Sequence, residues 1–520
     1  MRSSFFGIET ARKSLHAHKK ALETTGHNIA NANTEGYTRQ KVRMSATNPY
    51  TKPGMNSPTG AGQIGTGVEI TEIERMRDDF LDHQVRKESR FMGDWEAKHD
   101  ALQQLEVIYN EPSDSSLRDV FDRFWESLQT LSQEPEDRTV RTEVMERGVS
   151  LTDTVNHMYN QMVDLKEKID DTIEVRVSDI NSIGRQLADL NEQIQNIEVS
   201  DDQNANDLRD RRDLLLDELS EYTNFEHSED NRGNVMVSIH GTSLVRGNRV
   251  NELEFEEAEY DAFVAEDIEA EDDPLIQQEP EGGKVKWKHT GEEIDFRGGE
   301  MSGLFESRDD IVQSHIDELR EITFQFQEKF NELHSHEDSF DYYEATGEDQ
   351  KADNPFFFDW KNNSDELLEV EEDIRNDVFN IRAGREMEGE GKYPGNGDNA
   401  KLLAQLKHDR IISEDFYEQY QEMDGLGEDI DGTSTFNDFL DATVSSLGVK
   451  AQEAERMVEN QETLLNQLSN RREAVSGVSL DDEMADMIKY QQAYNAASRM
   501  ITTVDEQLDT IINRMGIVGR

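Results

Sequence analysis

From Leu151 to Ile197 an apolar side chain recurs every three or four residues, at Leu151, Val155, Met158, Met162, Leu165, Ile169, Ile173, Val177, Ile180, Ile183, Leu187, Leu190, Ile194 and Ile197. The spacing follows the helical turn and predicts one long helix whose coiled-coil-like seam carries a single four-residue slip. Such a helix needs partners along its whole length, so the chain is expected to be mainly α, elongated and multidomain. Helical pattern also fills "MSGLFESRDDIVQSHIDELREITFQFQEKFNELH", lapses from Ser335 to Asp398, returns from Ala400, and is strong over Thr435 to Glu473 and Leu480 to Met515. Between helices the period changes to two over Thr223 to Asn251, and the Gly-punctuated acidic stretch to about Gly299 reads as a β-rich insertion.

Charge narrows the partners. With 113 Asp plus Glu against 54 Lys plus Arg, the formal charge is −59, which disfavours nucleic acid and anionic lipid surfaces. Self-repulsion on this scale strains a compact fold unless salt screens it, so a saline setting is expected. The 520 residues suggest about three domains at ~150 residues each, and 34% apolar content suffices for cores. There is no cysteine, so disulfides and thiolate metal sites are excluded. The opening "MRSSFFGIETARKSL" lacks the apolar core of a secretory signal, and no window approaches a membrane span.

The two ends share a pattern. Ile8, Ala11, Leu15, His18, Leu22, Thr25 and Ile29 form one amphipathic row, followed by "YTRQKVRM" and "GVEITEIERM", which alternate like a paired ribbon across a loop from Asn48 to Gly67. The closing row runs Leu480, Met484, Met487, Gln491, Tyr494, Ser498, Ile501, Asp505, Leu508, Ile512, Met515, with Ser479 and Asp482 placed for a capping box. Ile488, Ala497, Val504 and Ile511 widen its apolar face beyond a two-helix seam. Pattern alone allows an ordinary intramolecular pair or a multi-helix assembly. Between Gly26 and Thr34, "GHNIANANT" holds no Asp, Glu, Lys or Arg, as suits a place where chains crowd and charge would be desolvated.

Three stretches imitate chemistry. "GAGQIG" (Gly60 to Gly65) is a literal G-x-G-x-x-G, but a Pro-rich loop precedes it and a strand-like run follows, the reverse of a dinucleotide site. "GEDIDGTSTFND" (Gly427 to Asp438) resembles a calcium loop that lacks its first ligand and the bidentate Glu at its end. "HSHED" (His334 to Asp338) has no distant third ligand. No catalytic trio, nucleophile elbow or phosphate loop can be assembled, so the expectation is no enzyme, no cofactor and no metal.

"NIANANTEGYTRQKV" (Asn28 to Val42) resembles the N-terminal signature of the flagellar axial family of rod, hook and hook-associated proteins. "SLDDEMADMIKYQQAYNAASRMITTVDEQLDTIINRMG" (Ser479 to Gly516) resembles that family's C-terminal signature. The internal stretches "NDLRDRRDLLLDELS" (Asn206 to Ser220) and "GGEMSGLFESRDDIVQSHIDELREITFQFQEKFNELH" (Gly298 to His334) are similar to the hook-associated members that sit where the hook ends and the filament begins. The resemblance covers roughly two thirds of the chain and departs from the family over Glu252 to Glu281 and Tyr342 to Pro394. It implies a structural subunit without catalysis, secreted through a type III export apparatus with an export chaperone, extracellular at the hook–filament junction. The implied partners are further copies in a ring-like homo-oligomer, hook protein and hook-associated protein 3. Its implied assembly motif is Asn28, Ala30, Asn31, Asn33, Thr34, Gly36 and Tyr37. Its implied terminal-helix packing residues are Ile8, Leu15, Leu22, Ile29, Leu480, Met484, Ile488, Tyr494, Ile501, Val504, Leu508 and Ile512.

The expected organisation has an inner coiled coil from 1–40 and 479–520. A helical bundle from 41–222, 300–340 and 400–478 carries a small hairpin near 37–76. A β-rich outer insertion occupies 223–299, and an irregular or mixed insertion 341–399. Another axial protein, hook protein or hook-associated protein 3, shares one or both ends, and a coiled-coil scaffold would share only the long seam.

Overall fold

The computed structural model describes residues 6–49, 65–110, 116–199, 203–257, 282–347, 356–361, 366–386, 391–410 and 434–510. It opens with α1 (Phe6–Ala30) and an antiparallel ribbon of β1 (Gln40–Ala46) and β2 (Val68–Arg75). The bundle helices follow as α2 (Asp79–Asn110), α3 (Leu117–Gln133), α4 (Arg138–Ile197) and α5 (Asn206–Tyr222). Ser116 caps α3 by accepting from the Asp119 N–H at 3.3 Å, and Asp137 caps α4 by accepting from Thr139 at 2.7 Å.

At 60 residues, α4 begins well before the Leu151 at which its apolar row starts. That row is buried throughout except for its last member, Ile197, which is 43% exposed. The antiparallel sheet β3 (Phe225–Glu229), β4 (Val235–Ile239), β5 (Thr242–Arg246) and β6 (Arg249–Val250) packs on its C-terminal half, as does the pair β7 (Leu253–Glu256) and β8 (Lys284–Trp287). Val235, Val237, Ile239, Leu244 and Val245 are buried against it. Most of the acidic stretch Glu252 to Glu281 lies outside the described residues.

The helix predicted after Gly299 forms as α6 (Glu300–Glu306) and α7 (Gln313–His334), joined through a π turn at Ser307–Val312. Arg308 in that turn is buried. Its guanidinium bonds the Asp170 carboxylate of α4 and the Gly283 carbonyl at 2.6 Å, tying the β7–β8 pair to both helices.

The stretch expected to be an irregular insertion is irregular in outline, with β9 (Ser339–Phe340), α8 (Tyr342–Thr346), β10 (Phe358–Trp360), β11 (Leu368–Val370), α9 (Glu372–Asn376) and β12 (Gly384–Arg385). Its described residues nevertheless enter the bundle's own core. Phe357 and Phe358 pack with Phe124, Phe326 and Phe330 at ring-centroid distances of 5.2 to 5.9 Å. Gly148 of α4 makes room for them, because a Cβ there would lie 2.9 Å from the Phe357 ring. Buried Arg141 donates to the Pro135, Val378 and Ile381 carbonyls at 2.7, 3.3 and 2.8 Å, and burial pushes its pKa down to about 10, so it stays charged at neutral pH. Phe357, Phe358, Leu367, Leu368, Val370 and Ile374 of segment 341–399 thus belong to the bundle's core. Short α10 (Asp398–Gln405), long α11 (Phe436–Ser476) along α2, and α12 (Leu480–Asp509) complete the fold.

Strand edges are closed by asparagines on helices. Asn181 Oδ1 accepts from the Leu253 N–H at 2.8 Å while its Nδ2 donates to the Leu253 carbonyl at 2.9 Å. Asn191 does the same to Val235, at 2.9 and 2.8 Å. Asn156 joins Leu368, and Asn331 joins Phe358, in the same two-bond way. Each carboxamide stands in for the peptide of a missing neighbour strand and satisfies edge groups that burial would otherwise orphan.

Candidate assembly site

α12 runs antiparallel to α1, with Val504 beside Gly7 and Tyr490 beside His18 at a ring-centroid distance of 6.2 Å. The α1 residues buried in this end of the molecule are small: Ala11, Ala17, Ala21, Thr24, Thr25 and Asn28. Ile8, Leu15, Leu22 and Ile29, the larger residues of the predicted row, are only half-buried. On α12, Ala497 and Leu508 are buried and Tyr494, Ile501 and Val504 half-buried. Leu480, Met484 and Ile488 are 49, 54 and 58% exposed, and their four-residue spacing places them along one side of the helix. Ile512 lies outside the described residues. Ser479 caps α12, accepting from the Asp482 N–H at 3.4 Å.

The charge-free stretch ends α1 and turns the chain into β1. Asn28 is 1% exposed: its Oδ1 accepts from the Gln40 N–H at 3.0 Å and from the Tyr37 hydroxyl at 2.8 Å, and its Nδ2 donates to the Gln40 carbonyl at 2.9 Å. It is a fifth carboxamide closing a strand edge. Asn31 Nδ2 donates to the His27 carbonyl at 3.0 Å, and the Asn31 carbonyl accepts from the Thr34 N–H at 2.9 Å. Gly36 has φ 73°, and a Cβ there would meet the Leu214 side chain at 3.2 Å, so both backbone conformation and space call for glycine. Burial, with Asp207, Asp210 and Glu483 nearby, raises the Tyr37 pKa and keeps its hydroxyl a donor. Ala30, Asn33, Thr34 and Gly36 are exposed.

The ribbon meets the bundle through charge. The Thr38 N–H donates to Asp210 at 3.0 Å, and Gln40 Nε2 to Asp207 at 2.7 Å. Arg75 bonds Asp210 and Asp213 at 2.9 and 2.6 Å; Arg77 bonds Asp82 and lies 3.1 Å from Asp213; Arg86 bonds Asp217 at 2.6 Å. Arg472 of α11 reaches the same Asp217 at 2.6 Å. Burial pushes the Asp213 pKa up, but Arg77, Arg75 and Arg86 more than offset it and hold the carboxyl below its ordinary value. For Asp210, burial outweighs Arg75 and Thr38 and raises it. The sequence marked Asn206 to Ser220 only as a stretch of resemblance and not as a joint, although Asp207, Asp210, Asp213 and Asp217 recur at helical spacing on α5, a signal that one helix face is acidic for a reason.

The imitative stretches sit as follows. His334 is buried, its Nε2 accepting from the Arg382 N–H at 3.0 Å, and His336 Nδ1 accepts from the Asp338 N–H at 3.2 Å. Residues 427–433 and 60–64 lie outside the described residues, while Asp438 accepts from the Thr435 hydroxyl at 2.8 Å at the start of α11. Among the described residues, no helix is long and apolar enough to cross a membrane.

The antiparallel terminal helix pair is built from the two stretches that match flagellar rod families, which places the chain in the class of flagellar axial proteins. Residues 8–38 match the family of flagella basal body rod proteins, and residues 473–515 match the flagellar basal body rod FlgEFG protein C-terminal family. Residues 102–350 match the flagellar hook-associated protein FlgK helical domain. The chain is 32% identical to flagellar hook-associated protein 1 of Bacillus subtilis (strain 168), over all of both chains. It is 24% identical to that of Escherichia coli (strain K12), over 97% of this chain and 99% of the relative. The chain belongs to the family of flagellar hook-associated protein 1. The solved flagellar hook junction protein FlgK from Burkholderia pseudomallei shares the fold, with a TM-score of 0.60, 12% identity, and coverage of 76% of this chain and 100% of that one. The protein is a structural component of the flagellum and not an enzyme.

Proposed function

We propose that this chain is the subunit standing between hook and filament, joined to its own copies in a ring-like assembly through α1 and α12. One observation carries the reading: in a chain of charge −59, Leu480, Met484 and Ile488 leave an apolar stripe exposed beside a thin, small-residue seam. Such a stripe calls for further helices. The terminal pair then forms the inner domain and the bundle the next layer, with the β3–β8 region outermost. Hook protein and hook-associated protein 3 are the neighbours on either side, and a type III export apparatus with its chaperone delivers the chain to the cell exterior.

Deletion of the gene in its own cell, with electron microscopy and immunolabelling, tests this. Bare hooks, filament subunits shed into the medium, and label at the hook–filament boundary in the complemented strain are expected. Filaments on the deletion strain would overturn the reading.

A further inference from the structure

The terminal pair is open on one side. Gly7 lies beside Val504 and His18 beside Tyr490, so the Ile29 end of α1 runs next to the Leu480 end of α12. Buried Ala21 and Asn28 mark the inward face of α1, and buried Glu483 and Ala497 that of α12. Leu22 and Ile29 each follow an inward residue by one position, as Met484 does on α12, a turn of about 100°. Because the helices are antiparallel, that turn carries both sets to the same side of the pair. Half-buried Leu22 and Ile29 therefore extend the exposed stripe of Leu480, Met484 and Ile488 across both helices. The ribbon closes the other side, with Gly67 against Thr10 and Lys13.

Charge distinguishes what can cover the open side. α1 carries four Lys or Arg against two Glu, a positive helix in a chain where acids outnumber bases 113 to 54. α12 carries seven Asp or Glu against two Lys or Arg. On α1, Arg12 pairs with Glu9 at 2.7 Å, and Glu23 is shared between Lys19 and Lys20 at 3.7 and 3.5 Å, which leaves cation in surplus. On α12, Lys489 pairs with Asp486 at 3.1 Å, while exposed Asp481, Asp482, Asp505 and Glu506 have no cation partner among the described residues. A second α12 laid on the stripe would set like charges along it. A second α1 brings opposite charge and an apolar row of its own, Ile8, Leu15, Leu22 and Ile29, half-buried at seven-residue spacing.

We infer that the open stripe of α12 is covered by α1 of a second copy of the chain, so that positive and negative helices alternate from copy to copy. The contact is heterologous, α12 of one copy against α1 of the next, so it repeats around a ring or along a helical stack instead of closing as a dimer. This rests on the self-assembly reading above and names the helix that fills the stripe.

A photoreactive benzophenone side chain reads the contact without presupposing its register. It is placed at Gln491, exposed and one position past Tyr490, on the open side of α12. The full-length variant replaces the cells' own copy, flagella are purified and irradiated, and linked multimers are digested and mapped by mass spectrometry. Multimers joined from Gln491 to a peptide within residues 6–30 of another copy are expected. A link to α12 or to the bundle of another copy would overturn the choice of α1 and leave self-assembly through α12 standing. Filaments without linked multimers would overturn both. Should the variant build no filaments, charge exchange decides. Arg12→Glu with Lys19→Glu is expected to stop filament growth, and adding Asp505→Lys with Glu506→Lys to restore it. Normal filaments with the first pair, or no recovery with the second, would overturn the contact.

Discussion

Asn191, fully buried on α4, makes its two bonds to Val235 and a third to the Gly247 carbonyl at 3.0 Å. Removing the carboxamide strands three edge groups, each worth roughly 1 kcal/mol or more, so Asn191→Ala should lose about 3 kcal/mol in urea melts. Asn196→Ala, on the exposed side of the same helix, should stay within about 0.5 kcal/mol. At the joint, the folded-state pKa of Asp213 is depressed, so its contribution is present above the unfolded carboxyl pKa and lost as pH falls through the folded one. Asp213→Asn should therefore cost about 3 kcal/mol at pH 7, with wild type and variant converging in strongly acidic solution; a gap independent of pH would contradict the assignment. Neither role is legible from one chain. An Asn in mid-helix reads as a solvated polar residue until the strand edge it closes is known, and the spaced aspartates of α5 mark an acidic face without showing the arginines they meet, which lie far away in sequence.

Elements were more legible where burial is one-sided and long. The α4 row identified its seam because every member but the terminal Ile197 meets the core. The ribbon was legible from alternation, as were the β3–β6 strands. α1 was harder. Its three-four row held Ala11 and Thr25, which are buried, but passed over Ala17, Ala21 and Thr24, since close approach selects small side chains that leave little apolar signal. An alanine methyl contributes roughly 1 kcal/mol against roughly 2 for a leucine, so the terminal pair is thin. Leu508, 9% exposed, is among its few large anchors. Leu508→Asp should open the pair, and brief proteolysis should then trim both ends of the chain faster than in wild type while sparing the bundle. Unchanged trimming would show that the pair does not depend on this contact. That the segment 341–399 enters the bundle's core was not legible, because its core residues come in short runs, Phe357 with Phe358 and Leu367 with Leu368, whose partners lie on helices far away in sequence.

For the whole molecule, charge and exposed apolar surface make opposite demands. Going from molar salt to 0.1 M lengthens the screening distance from ~3 to ~10 Å, so the melting temperature should fall as salt is withdrawn; a midpoint independent of salt would show that the −59 charge does not limit stability. The exposed stripe has the other role, holding copies together. Met484 and Ile488 are more than half exposed, so Met484→Asp with Ile488→Asp should leave the isolated chain's melting temperature and helix content unchanged while placing charge in the contact between copies. The decisive measurement is electron microscopy of hook tips, with assay of the culture medium, in cells whose own copy is replaced by this double variant. Bare hooks with the folded variant recovered from the medium are the expected result. Filaments of normal number and length on those cells would contradict assembly through the α12 face.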